Sequence, residues 1–232
     1  MKKTVSLTIA AAGMCLLTGC ETTGLSAREH SGVDYPNYVL SLPADRPANS
    51  PKPALPIHLA VAQIGESAPP KTMLDALAAR SDLITSVVAL PLPGEAVEPY
   101  RYRSKEVVTD YAGRVKAICR LAKASGADYV FLFGGNVDSW TDGNALRFFD
   151  ITIIGGMILP GTKVNLEGKG AGTLIEAATE QPVIFINADN NHSQYSPDFF
   201  SDDKTMDMRV QARDELVKKL QAGLLEKLAA WR

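Results

Sequence analysis

Between Pro56 and Phe133 the chain alternates in a way few folds accommodate. A short apolar run, Ile57-His58-Leu59-Ala60-Val61-Ala62-Gln63-Ile64, predicts a first strand. Pro69-Pro70 opens a short helix to about Arg80, with Met73, Leu74, Leu77 and Ala78 on one side, since proline suits a first helical turn. Ser86 to Leu90 is a second strand, stopped by Pro91 and Pro93. Ser104 then caps a longer helix in which Val107, Val108, Tyr111, Val115, Ile118 and Ala122 recur at three- and four-residue steps up to Gly126. Asp128 to Phe133 is a third and strongly apolar strand. Strand, helix, strand, helix, strand in this order predicts an α/β sheet.

Beyond Phe133 turn formers dominate. Trp140-Thr141-Asp142-Gly143-Asn144 reads as a turn centred on Asp-Gly. Phe148 to Leu159 reads as a strand broken at Gly155-Gly156, and Pro160-Gly161 as another turn. Val164–Ala177 and Val183–Ala188 read as paired strands around Thr179 to Pro182, with Asp189 to Ser193 as a polar loop after the last strand. A helix from about Asp202 or Lys204 to Trp231 closes the chain, its apolar stripe being Met206, Val210, Val217, Leu220, Leu224, Leu228 and Trp231. The expectation is a single compact α/β domain over 56–232, a mixed sheet of about five to six strands flanked by two to three helices.

The first nineteen residues have a different grammar. Lys2 and Lys3 precede an apolar run from Val5 to Leu17, followed by Leu17-Thr18-Gly19-Cys20. Basic flank, apolar core and small-residue cleavage site make a secretory signal. The run is short of the roughly 20 apolar residues a spanning helix needs. Leu17, Thr18 and Gly19 before Cys20 look like the lipobox of bacterial lipoproteins, in which the cysteine becomes an acylated N-terminus. At about 0.8 kcal/mol per buried methylene, several chains such as palmitate hold a protein firmly on a bilayer. By resemblance to enterobacterial sorting, Glu21 in place of Asp favours the outer membrane, with the domain facing the periplasm. Residues 20–55 hold the tether, small and polar at first and rich in proline from Pro43 to Pro56, an extended and disordered spacer.

The 24 basic and 26 acidic residues become 22 against 26 when Lys2 and Lys3 leave, a net charge of −4. A nucleic-acid partner, which wants a basic stripe, is not expected. Cys15 leaves with the signal and Cys20 is modified, so Cys119 stands alone in a helix as a small buried apolar residue and forms no internal disulfide. The three histidines, His30, His58 and His192, have no metal-ligand spacing, and no metal or cofactor is expected. Asp189-Asn190-Asn191-His192-Ser193 crowds oxygen ligands, yet reads first as turn formers. Gly168 to Thr173 lacks the P-loop order and marks a bent or closely packed strand. Asp138, Asp142 and Asp150 are the only carboxylates offered for acid/base work on a glycan, without a spacing that selects them. No catalytic residue is assigned. Tyr100 and Tyr102, beside Arg101 and Arg103, and Trp140 are the candidates for partner contact.

Several of these stretches together resemble the rhombotarget (rhombotail) lipoproteins. They are the lipobox, Ser31-Gly32-Val33-Asp34-Tyr35-Pro36, the proline-rich spacer, Gly126 to Val130, Thr141 to Leu146, and Ile153 to Gly161 with the following hairpin. Pro36 comes directly after Tyr35, where the family has a second aromatic first. The chain ends at Trp231-Arg232 without a Gly-Gly, apolar helix and basic tail, so sorting-protease cleavage is not implied. The resemblance carries no catalytic activity. With no catalytic set in the sequence, the expected function is a membrane-anchored, non-catalytic binding or adaptor module for another envelope component, a protein first. The alternatives are a hydrolase acting on glycan or peptidoglycan, and a subunit of an oligomeric envelope or secretion assembly.

Overall fold

A computed structural model describes residues 29–31, 54–92, 111–143, 162–196 and 201–232. Among them run β1 (Glu29–Ser31), β2 (Ile57–Gln63), α1 (Lys71–Ala78), β3 (Ile84–Ala89), α2 (Tyr111–Ala124), β4 (Tyr129–Gly143), β5 (Thr162–Glu176), β6 (Gln181–Ser196) and α3 (Ser201–Ala229). The strands form one mixed sheet in the order β3-β2-β4-β5-β6, with β1 added to β4. The expected α/β class is what the chain adopts.

The first half is the parallel part. β2 lies between β3 and β4 and is parallel to both, so the chain steps one way through α1 and back the other way through α2. Crossovers of one hand that move in opposite directions put their helices on opposite faces of a sheet. Two buried layers result. Leu59, Val61, Met73, Leu77, Phe131, Phe133 and Leu174 pack with α3 residues Leu216, Leu220, Leu224 and Leu228 on one side. Ala60, Ala62, Val115, Ile118, Cys119, Ala122, Val130 and Leu132 fill the other, beneath α2. Gly126, with φ +77°, ends α2 as read from the sequence, because glycine takes the left-handed region freely. The helix start expected at Ser104, the strand over Phe148 to Leu159, and most of the tether and signal lie outside the described residues.

Three expectations change in the second half. β4 does not turn at Asp142-Gly143 but continues as strand through both, in register from Tyr129 opposite Glu176 to Gly143 opposite Thr162. β6 likewise runs past Ala188, so Asp189 to Ser193 are strand residues and not a loop. Asn, Asp and Gly are poor strand formers locally. A long antiparallel ladder with a neighbour on both sides of β5 overrides that preference by giving the backbone groups partners. The ladder bulges between Leu174 and Ile175, where Ile175 faces Pro182. A bulge is where a strand tolerates proline.

The third change concerns α3. Its buried line is Met208, Ala212, Leu216, Leu220, Leu224 and Leu228, whereas Met206 and Val210 are 62% and 53% exposed. Steps of four advance about 40° around a helix each time. The buried line therefore winds as the helix follows a twisted sheet. A straight stripe drawn back from Leu220 misses the first turns for that reason.

Candidate functional site

The antiparallel half of the sheet extends well past the rungs that β2 shares with β4, which end at Gln63 opposite Phe133. Side chains alternate between faces along a strand. On the side away from α3 this leaves four rows across β4, β5 and β6: Asn136-Lys169-Asp189, Asp138-Glu167-Asn191, Trp140-Asn165-Ser193 and Asp142-Lys163-Tyr195. All twelve are polar or aromatic. The four carboxylates Asp138, Asp142, Glu167 and Asp189 outnumber Lys163 and Lys169. Six residues of strand at about 3.4 Å each, and two steps between strands at about 4.8 Å, give a platform of about 20 Å by about 10 Å.

Much of this face is held in place from within. Asn165 is buried; its Nδ2 donates to Asp142 Oδ2 at 2.8 Å and its Oδ1 accepts from Ser193 Oγ at 3.0 Å. One amide thus ties three strands together. Glu167 pairs with Lys169 at 2.8 Å. Asn136 is buried, Asp138 and Trp140 are half-buried, and Asn191, Ser193 and Tyr195 are exposed. All four β6 members of the rows are exposed, Asp189 included, as are Asp142 on β4 and Lys169 on β5.

The opposite face shows why the platform is stiff. Asn190 is buried and its Nδ2 donates to the Ala212 carbonyl of α3 at 2.8 Å. His192 Nε2 meets Glu215 at 2.9 Å, Arg209 donates to the buried Ser139 hydroxyl, and Lys219 donates to the Asp189 carbonyl. α3 is thereby latched along β6 and reaches β4. The glycines expected to mark a closely packed strand do so: a Cβ on Gly168, Gly170 or Gly172 would meet Asn190, Leu220 or Phe131 within 3.4 Å.

Of the residues singled out in the sequence, Trp140 lies in the third row of this face. Tyr100 and Tyr102 lie outside the described residues, as do Leu17, Thr18, Gly19 and Cys20 and the carboxylate Asp150. Asp138 and Asp142 share a face but stand four residues apart, about 13 Å along the strand. That exceeds the roughly 5–9.5 Å that separates the paired carboxyls of glycosidases. The neighbour of Asp138 across the ladder is Glu167, which sequence spacing did not bring forward because the two are 29 positions apart. His58 Nδ1 meets Ser86 Oγ at 2.8 Å across β2 and β3, and among the described residues no group of His, Cys, Asp and Glu forms a metal site. Cys119 is buried and free, its thiol pushed up to about 11 by burial and, less, by the Glu180 charge.

No family model and no curated protein matches this chain. Among solved structures it is similar to a candidate lipoprotein from Caulobacter crescentus CB15, with 18% identity, 50% of this chain and 83% of that one covered, and a TM-score of 0.30. It is also similar to a PelC variant dodecamer from Paraburkholderia phytofirmans, with 11% identity, 75% and 94% covered, and a TM-score of 0.32. Similarity this loose carries no function to this chain. No helix among the described residues is long and apolar enough to cross a membrane.

Proposed function

We propose that this chain is a lipoprotein of the rhombotarget kind, exported by residues 1–19, acylated on Cys20 and held on the periplasmic side of the outer membrane. Its domain is a binding module for another envelope component, and the polar rows on β4, β5 and β6 are the contact. The observation that carries this is the braced platform itself. Asn165 locks three strands from one side and α3 latches them from the other, which is how a recognition surface is kept in shape before its ligand arrives. The platform covers on the order of 200 Å² in projection, against about 800 Å² per partner in a standard protein interface. It therefore takes a short segment of its partner, and a tether on an acylated cysteine supplies local concentration in place of area.

The test is photocrosslinking in intact cells from a reactive residue at Asn191, beside the same residue at Lys116 on the exposed side of α2. One envelope protein captured from Asn191 only, and lost in Cys20→Ala, is the expected result. Equal capture from both positions, or none from Asn191, refutes the assignment.

The hydrolase reading keeps one observation in its favour. Asp138 and Glu167 are direct cross-strand neighbours, with Cβ atoms about 5 Å apart. Hydrolysis of peptidoglycan that is lost in both Asp138→Asn and Glu167→Gln would replace the binding reading. A ring or other defined oligomer in detergent would instead favour the assembly-subunit reading.

A further inference from the structure

The stretch expected to be plain tether contains a strand. β1 pairs antiparallel with β4, Glu29 opposite Ser139, His30 opposite Asp138 and Ser31 opposite Val137. It does so on the edge that β2 leaves at Phe133. We propose that β1 is an exchangeable strap: docked on β4 it shortens the tether between anchor and domain, and released it lengthens it. This rests on Cys20 being the anchor.

The arithmetic of reach is simple. From Cys20 to Glu29 are nine residues, spanning at most about 30 Å, whereas from Cys20 to Ile57 are 37 residues, at most about 125 Å. Docking therefore cuts the maximal reach about fourfold. It also brings the anchor-proximal end of the chain into the row of Asp138, Glu167 and Asn191, adding a fourth strand to the candidate binding face. A ligand that contacts that row as well as β1 would draw the domain toward the membrane, because binding and docking then favour each other.

The strap is built to let go. It has three residues, whereas the β4–β5 register runs unbroken from Tyr129 to Gly143. Closing the 25 residues between Ser31 and Ile57 into a loop costs entropy that grows slowly with length. A three-residue edge strand returns only a few backbone hydrogen bonds, each worth about 0.5–1.5 kcal/mol, against that cost. With a small gain set against a comparable loss, both states are populated and a modest bias moves the balance. While docked, β1 pairs with part of the β4 edge, as a covering strand that blunts a sheet edge does.

The experiment uses the full lipidated chain on supported bilayers, with domain height read by neutron reflectometometry-type layer thickness and docking by disulfide formation in His30→Cys/Asp138→Cys. Directly opposed antiparallel residues have Cα atoms about 4.5–5.5 Å apart, within disulfide range. The pair is expected to close on mild oxidation and to hold the domain layer near the bilayer. Ser31→Pro, at the rung with Val137 that flanks the His30–Asp138 pair, removes an N–H on the β4 side of β1 and should move that layer outward, with the reduced pair and wild type between. Failure of the pair to close in a folded, membrane-bound protein overturns the strap, as does an equal layer height for the oxidised pair and Ser31→Pro. Membrane binding that is the same for wild type and Cys20→Ala overturns the anchor instead, and disulfide formation in that protein still decides whether β1 docks.

Discussion

Gly168→Ala tests whether the α3 latch is as tight as its geometry indicates. Gly168 sits on β5 opposite Asn190 on β6. A Cβ there would run into Asn190 Oδ1 and lie 3.0 Å from Leu216 Cδ1. The Asn190 side chain is the end of a flexible group in principle, but it is buried and its Nδ2 is committed to the Ala212 carbonyl. To make room it must give up that hydrogen bond, worth about 0.5–1.5 kcal/mol. Otherwise α3 must lift, an overpacking cost of about 1–3 kcal/mol. The expected loss is about 1–3 kcal/mol, or about 2–12 °C in Tm for a domain of this size. The sign is informative, because alanine in an uncrowded strand is normally better than glycine by about 0.5–1 kcal/mol. Urea unfolding of the unlipidated Cys20→Ala protein gives the number. A double-mutant cycle makes the cause specific: with Asn190→Ala the new methyl occupies vacated space, so the double variant should be at least about 1 kcal/mol more stable than the sum of the single losses predicts. A loss below about 0.5 kcal/mol for Gly168→Ala, or strict additivity, refutes the close approach of α3 to β5 and with it the bracing argument.

The winding of α3 makes a paired prediction: Leu224→Ala, at a fully buried position, should cost about 2–5 kcal/mol in a thermal or urea melt, while Met206→Ala, 62% exposed, should change stability by less than about 0.5 kcal/mol. Equal effects would mean that the stripe is straight after all. Native Cys119 should resist iodoacetamide at mildly alkaline pH and react once urea has unfolded the chain. Because its folded pKa is raised, to about 11, the folded state keeps a proton that the unfolded thiol gives up near 9.0, so stability falls as pH climbs through that interval. Cys119→Ala should remove that part of the fall, measurable as a stability difference that narrows from pH 9 to 11. Asn165→Ala should loosen the outer rows, seen as faster amide exchange at Asp142 and Ser193, with the parallel part of the sheet unchanged.

The parallel part of the fold was legible because each of its elements carries its own signal. Leu59 to Ala62 of β2 and Tyr129 to Phe133 of β4 are apolar runs, as strands buried on both faces must be. Met73 and Leu77 are one turn apart, and Gly126 marks the end of a helix. The antiparallel part was legible only where it is buried. Val164 and Leu166 announce β5, and Ile184 and Ile186 announce β6, but Asp142-Gly143 and Asp189 to Ser193 spell turns to any local reading. Their strand conformation comes from partners 20 or more positions away, such as Asn165 on Asp142 and Ser193 on Asn165. Local preference is a weak prior against a ladder of that length.

The same reasoning explains why the candidate face was nearly invisible. Trp140 drew attention as a large ring among turn formers, whereas Asn165 and Glu167 look ordinary until register sets them beside Asp142 and Asp138. A site on a sheet is written in row numbers, and a row joins residues that share no sequence neighbourhood. The strap is the extreme case. Glu29-His30-Ser31 has no strand propensity to notice, and it sits on the stretch of β4 that lies beyond its last rung with β2 at Phe133. That length exists because the antiparallel strands outrun β2, which has seven residues where β4 has fifteen. The mismatch between the two halves of the sheet thus produces both the polar rows and the edge that receives β1. Lengthening β2 to cover that edge would be expected to expel the strap while leaving the platform intact, separating the two roles in one protein.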